Sequence, residues 1–149
     1  MTTIKRTNSD DIDFINLVAL LDQDLAIRDG EDHSFYNQFN KIDKIKHTIV
    51  YYENRIPVAC GAFREKESGT TEIKRMYVHP DYRNKGIAAA VLTALEIWAK
   101  EIGYTYTILE TGKKQPEAIR LYQKSNYTII PNYPPYEEVD NSVCMKKTL

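Results

Sequence analysis

Residues 79–104 read HPDYRNKGIAAAVLTALEIWAKEIGY, with Arg83, Asn84, Lys85 and Gly86 on a short polar loop that runs straight into Ile87 and three alanines. Ala88, Val91, Leu92, Leu95, Trp98, Ala99 and Ile102 then recur at helical spacing, and Gly103 ends the run. The stretch therefore predicts a loop followed by a long amphipathic helix. A helix N-terminus carries unpaired N–H groups and the positive end of the macrodipole, so it takes phosphate wherever no side chain blocks the approach. Gly86 and Ala88–Ala90 clear that approach, and Arg83 and Lys85 supply cations for charge-assisted contacts. The loop lacks the Gly-Lys-Ser/Thr ending of a Walker A motif and the G-x-G-x-x-G spacing of a dinucleotide site. A pyrophosphate cradle of another kind is the expectation, with an ordinary strand-to-helix turn as the alternative.

Working upstream, TEIKRMYV (71–78) reads as a strand. Alternation puts Ile73, Arg75 and Tyr77 on one face and Glu72, Lys74, Met76 and Val78 on the other, with room for a bulge. HTIVYYE (47–53) and IPVACGAFRE (56–65) flank Asn54–Arg55 as an antiparallel hairpin. Near the start, TIKRT (3–7) reads as a strand, Ser9 or Asp10 as an N-cap, and Asp10 to about Arg28 as a helix with Phe14, Leu17, Val18, Leu21 and Leu25 inward. DHSFYNQFN (32–40) reads as a second, short helix. Downstream come a strand in YTYTILET (104–111), a helix in QPEAIRLYQKSN (115–126) with Pro116 near its first turn, and strands in YTIIP (127–131) and SVCMKK (142–147). This order predicts an α/β (α+β) fold: a mixed, mostly antiparallel twisted sheet of six to seven strands with about four helices on its faces.

The chain's 149 residues fit one domain, 1–149, with no linker or repeat. A net charge of −1 gives no global pull toward nucleic acid or an anionic membrane, so any anion site must be local. No run approaches the roughly 18 apolar residues of a membrane span. Lys5 and Arg6 lead into polar residues rather than a signal-like apolar run, and a cytoplasmic location is expected. Cys60 and Cys144 sit in strand-like apolar contexts and read as reduced core residues. His33, His47 and His79 lack ligand spacing, so no metal site is expected.

Arg83, Asn84, Lys85, Gly86, Ile87 and Ala88 match the Gln/Arg-x-x-Gly-x-Gly/Ala pattern of the acyl-coenzyme A loop. EIKRMYVHPDYRNKG resembles the strand that feeds that loop, and QPEAIRLYQKSNY resembles a second signature helix bearing Ala118 and Tyr122. On these motifs the chain resembles the GCN5-related N-acetyltransferases from the hairpin onward. Asn126 stands where the family often has glycine, and asparagine tolerates the same left-handed backbone.

The resemblance implies acetyl transfer from acetyl-CoA to a primary amine, directly, through a tetrahedral intermediate. It implies that Arg83–Ala88 hold the pyrophosphate, that Met76, Tyr77 and Val78 pair with the pantetheine amides as an added strand, and that Gln115 and Ala118 border the same donor. The Val78 N–H is then a donor for the thioester carbonyl. Tyr122 falls at the family's general acid, and Glu72, Glu110 or a water is the base, with Glu72 preferred. Asp24, Tyr36, Asn40, Glu110, Tyr133 and Tyr136 are candidate walls for a small-molecule acceptor. A non-catalytic acyl-CoA sensing module, a protein N-terminal or lysine acetyltransferase, and an interaction domain that binds no cofactor stay open as alternatives, as does a homodimer.

Overall fold

The computed structural model describes residues 1–30 and 44–149. The short helix expected at 32–40, together with Tyr36 and Asn40, lies outside the described residues. Seven strands, β1 (Thr2–Thr7), β2 (His47–Glu53), β3 (Ile56–Glu67), β4 (Thr70–Val78), β5 (Tyr106–Gly112), β6 (Thr128–Ile130) and β7 (Ser142–Thr148), form one sheet. Their order is β1-β2-β3-β4-β5-β7-β6. Every neighbouring pair is antiparallel except β4 with β5, which is parallel. Three α-helices lie among the described residues, against the four expected: α1 (Ile12–Asp29), α2 (Ile87–Ile102) and α3 (Pro116–Lys124).

Local chemistry explains most boundaries. Asp11, not Ser9 or Asp10, caps α1, its carboxylate accepting from the N–H groups of Asp13 and Phe14. Ser9 is spent elsewhere: its hydroxyl accepts from the Ile45 N–H at 2.9 Å, and its own N–H donates to the Ile45 carbonyl. Asn54 and Arg55 both take positive φ, 50° and 70°, as a two-residue hairpin turn needs. Gly103 closes α2 in the left-handed region and returns its N–H to Ala99 and Lys100.

Two apolar cores sandwich the sheet. On one face α1 buries Phe14, Leu17, Val18 and Leu21 against Val50, Cys60, Ala62 and Tyr77. On the other, α2 buries Ile87, Val91, Leu92 and Leu95 against Ile49, Phe63, Ile73 and Leu109. Each fully buried side chain of this size contributes about 1.5–3 kcal/mol relative to exposure. Ile102, expected in the stripe, is 47% exposed on the last turn. Cys60 on β3 and Cys144 on β7 are buried free thiols.

The bulge allowed for in β4 is real and overturns its expected alternation. Arg75 has φ 61°, and the register against β3 slips between Cys60 and Ala62. Ile73 therefore shares the α2 face with Met76 and Val78, while Tyr77 joins the α1 core. Gly61 sits opposite this slip, and a Cβ there would meet Met76 Sδ at 2.6 Å, so the close approach requires glycine.

Candidate active site

Strands β4 and β5 pair only at Thr70–Glu72 with Tyr106–Ile108. Beyond Glu72 they part, and among the described residues the edge of β4 from Ile73 to Val78 carries no strand partner on that side. A cleft of about 640 Å³ opens there, reaching from the 83–88 loop to Glu72 and Glu110.

The loop end of the cleft is made largely of main chain. Asn84 and Gly86 take left-handed φ of 63° and 79°. Alternation of this kind turns successive N–H groups toward one concavity that suits an anion. Among the described residues no side chain caps α2, and a Cβ built on Gly86 meets nothing within 4 Å. Ile87 is buried and anchors the first turn, while Ala88 and Ala89 line the cleft. These features fit a diphosphate.

Arg83, expected to supply charge to the pyrophosphate, is engaged within the chain. Its Nε donates to the Val78 carbonyl at 2.8 Å, its guanidinium lies 5.8 Å from the Tyr77 ring centroid, and Asp24 approaches it at 3.7 Å. Asp24 thus sits beside the loop rather than at the far end of the cleft, and pairs with Arg28 at 3.4 Å as well. Lys85 is exposed over the Tyr82 ring. Because the His79 N–H donates to the Val58 carbonyl, antiparallel pairing turns the Val78 N–H away from β3 and toward the opening. Gln115 caps α3, its carbonyl accepting from Ala118 and Ile119, and both Gln115 and Ala118 line the cleft.

The far end is built from side chains. Glu72 is 2% exposed; one carboxylate oxygen accepts from the Tyr133 hydroxyl at 2.7 Å and the other faces Arg64 Nε at 3.3 Å. Glu110 accepts from the Ser142 hydroxyl at 2.8 Å. Tyr133 and Tyr136 pack edge to face at 5.8 Å. Burial, then the charge of Glu72, pushes the Tyr133 phenol far above its ordinary value; burial and Glu110 do the same for Tyr136. Both stay protonated donors.

Tyr122 projects from α3 into the same cleft, 6% exposed, with its ring against Tyr127 at 5.8 Å. Burial first, and Glu110 second, raise its pKa, so its proton stays in place at neutral pH. The structure thus brings together Glu72, Glu110, Tyr122, Tyr133, Tyr136 and the β4 edge from residues up to 64 apart in sequence.

Lys74 also lines the cleft, and sequence reasoning passed over it as a strand lysine. Burial lowers its pKa, with Glu72 and Glu110 pulling the other way. The available signal was two opposite charges, Glu72 and Lys74, on one face of a strand whose neighbours are apolar. Among the described residues no group of three or more His, Cys, Asp or Glu is placed to hold a metal ion. No described helix is long and apolar enough to cross a membrane.

Comparison with known proteins converges on one family. The family model for the acetyltransferase (GNAT) family matches residues 15–127. An IAA acetyltransferase of Azospirillum brasilense is 36% identical over 93 residues, 62% of this chain and 61% of that protein. The chain thus spans about three fifths of the length of that relative. A solved Klebsiella pneumoniae protein, presumed to be an acyl-CoA N-acyltransferase, superposes with a TM-score of 0.83 at 28% identity, covering 100% of this chain and 98% of that one. A GNAT acetyltransferase of Elizabethkingia anophelis, solved with acetyl-CoA bound, has the same fold at a TM-score of 0.70 and 20% identity, covering 99% and 98%. With the family model covering most of its length, and the loop, split strands and helix of that architecture in place, the chain belongs to the GNAT acetyltransferase family.

Proposed function

We propose that this chain is a single acyltransferase domain that moves an acetyl group from acetyl-CoA to a primary amine, the acceptor being a small molecule. The observation that carries the reading is the convergence, in one cleft, of an uncapped helix N-terminus behind Gly86, an unpaired β4 edge, and Glu72, Glu110 and Tyr122. Acetyl-CoA supplies an acyl carbon already activated as a thioester. The chain's residues bind, orient and handle protons.

In this reading the N–H groups of Asn84–Ala88 take the diphosphate, and the lysine of that loop adds charge from outside. Arg83, committed to Val78 and Asp24, shapes the loop more than it grips the ligand. The edge Met76–Val78 receives the pantetheine arm as a strand would. The Val78 N–H offers a donor to the thioester carbonyl oxygen, where charge develops. Gln115 and Ala118 wall the arm from α3.

Glu72, or Glu110 beside it, accepts the amine's proton. Tyr122 donates its hydrogen bond to the departing sulfur. A phenol raised above about 10 is a weak acid toward a thiolate whose conjugate acid lies near about 8.5, so full transfer is favourable only as the amine's proton leaves toward the carboxylate. Tyr133 holds Glu72 in place.

Thermal-shift titration with acetyl-CoA tests the donor: at 100 times the dissociation constant, stabilisation of about 2.7 kcal/mol is expected. Free-thiol release on adding an amine library tests the transfer. Stabilisation without any amine-dependent thiol would leave a sensing module instead, and no stabilisation would reject both.

A further inference from the structure

Two helices that border the cleft belong to opposite faces of the sheet: α1 buries Phe14 and Leu17 in one core, and α3 adds Tyr122 to the other. They are joined all the same. Arg28, on the last turn of α1, donates through Nη1 to the carboxylate of Glu117 on the first turn of α3. Both residues line the cleft, Arg28 one helical turn beyond Asp24, and Glu117 between Gln115 and Ala118. The pair therefore crosses from one wall of the cleft to the other.

The contact is one link of a longer run of charges. Arg28 Nε also reaches Asp24 at 3.4 Å, the other oxygen of Asp24 lies 3.7 Å from Arg83, and Arg83 Nε donates to the Val78 carbonyl at 2.8 Å. Alternating charges thus lead from the first turn of α3, through α1, to the 83–88 loop and the end of the β4 edge. The Arg28 side chain is 25% exposed and that of Asp24 33%, against 49% for Glu117. Water can replace the Glu117 contact most readily, so the run parts most easily at α3. An exposed ion pair contributes about 0.2–1 kcal/mol and is screened by salt. Such a contact is too weak to hold two helices permanently and weak enough to open often. An arm laid along Met76–Val78, with Ala118 on one side and Leu21 and Leu25 on the other, shares the cleft that the pair crosses.

We propose that Arg28 and Glu117 form an ionic strap across the donor cleft, which opens to admit acetyl-CoA and closes over the bound carrier. This rests on the acetyltransferase reading above for the identity of the carrier. A strap that must part for both entry and exit slows the two together, so it acts on rates and leaves affinity nearly alone. The test uses the whole chain and follows binding of a fluorescent coenzyme A analogue, and its displacement by acetyl-CoA, in a stopped-flow instrument.

Glu117→Gln, which keeps the shape and removes the charge, should raise the association and dissociation rates about threefold each and leave Kd within about twofold. Arg28→Met should do the same. The double variant should be no faster than either single one, since all three lose one and the same contact. Added salt should quicken release from the unaltered chain more than from Glu117→Gln. A loosened fold would instead raise the release rate and Kd together. Unchanged rates in both single variants, single effects that add in the double variant, or faster release without faster entry overturns the strap while sparing the acetyltransferase reading. An unaltered chain that takes up neither the analogue nor acetyl-CoA sinks the two together.

Discussion

Around Gly86 the cleft is lined by main chain, held by two left-handed residues and an uncapped helix; around Glu72 it is lined by side chains that hold one another through Tyr133, Arg64, Ser142 and Glu110. The first kind of surface is indifferent to most side chains, provided nothing protrudes. The second depends on each partner being present. One end can thus keep a fixed ligand, while the other changes its acceptor through substitution on β4, β5 and the segment before β7.

The largest effect should come from filling the main-chain end. Gly86→Glu places a bulky anion at φ 79°, where an L side chain is strained, and points charge at the diphosphate seat. The stabilisation by acetyl-CoA should vanish in thermal-shift titration, whereas Gly86→Asn, which tolerates that backbone, should keep part of it. Unchanged affinity in the glutamate variant would mean the diphosphate lies elsewhere. Next, Tyr122→Phe should lower kcat about 100-fold in steady-state thiol release and leave acetyl-CoA affinity intact. Equal turnover would remove Tyr122 from the chemistry.

The side-chain end should show in the pH dependence of stability. Tyr122, Tyr127, Tyr133 and Tyr136 all have pKa values raised mainly by burial. In the unfolded chain each ionises near about 10, while in the fold each keeps its proton. Above about pH 10 the unfolded state therefore binds fewer protons. Stability present below that pH should fall by about 1.4 kcal/mol per pH unit per tyrosine as pH rises. Urea unfolding at successive alkaline pH values measures the slope, and Tyr133→Phe should reduce it by one proton. A flat profile would mean these phenols are not held apart from water.

A smaller change should follow from Gly61→Ala, whose methyl would press on Met76 Sδ at 2.6 Å, Leu95 Cδ1 at 2.8 Å and Val91 Cγ1 at 2.9 Å. Overpacking here should cost about 1–3 kcal/mol by urea unfolding. It should also weaken acetyl-CoA binding slightly, since Met76 belongs to the receiving edge. A loss of binding without loss of stability would show that the β4 edge responds to contacts other than packing.

The same division explains what could be read beforehand. Gly86, Gly103, Pro116 and the Asn54–Arg55 turn are local signals, so the loop, both flanking helices and the hairpin were legible within a few residues. Ser9 misled because its hydroxyl serves Ile45, a contact made 36 residues away. Arg75 misled because a bulge reverses the side-chain alternation, and only the register against β3 exposes it. Glu72 and Tyr122 could be proposed from the motifs that contain them, but their partners in the cleft could not. Tyr133 lies 61 positions from Glu72, and Ser142 lies 32 from Glu110. Lys74 was placed only on a strand face, because nothing in its neighbourhood of sequence announces that β4 and β5 part just after Glu72 and leave it lining a cleft.

Cys60 and Cys144 bear on how such a protein can be watched. Burial drives the Cys60 thiol far up and the Cys144 thiol up to about 11, so neither offers a thiolate near neutrality. A disulfide-exchange dye mixed with the folded protein should stay colourless. Colour in a reaction mixture then counts carrier thiol alone, and colour appearing with neither acetyl-CoA nor amine present is a signature of the chain coming open.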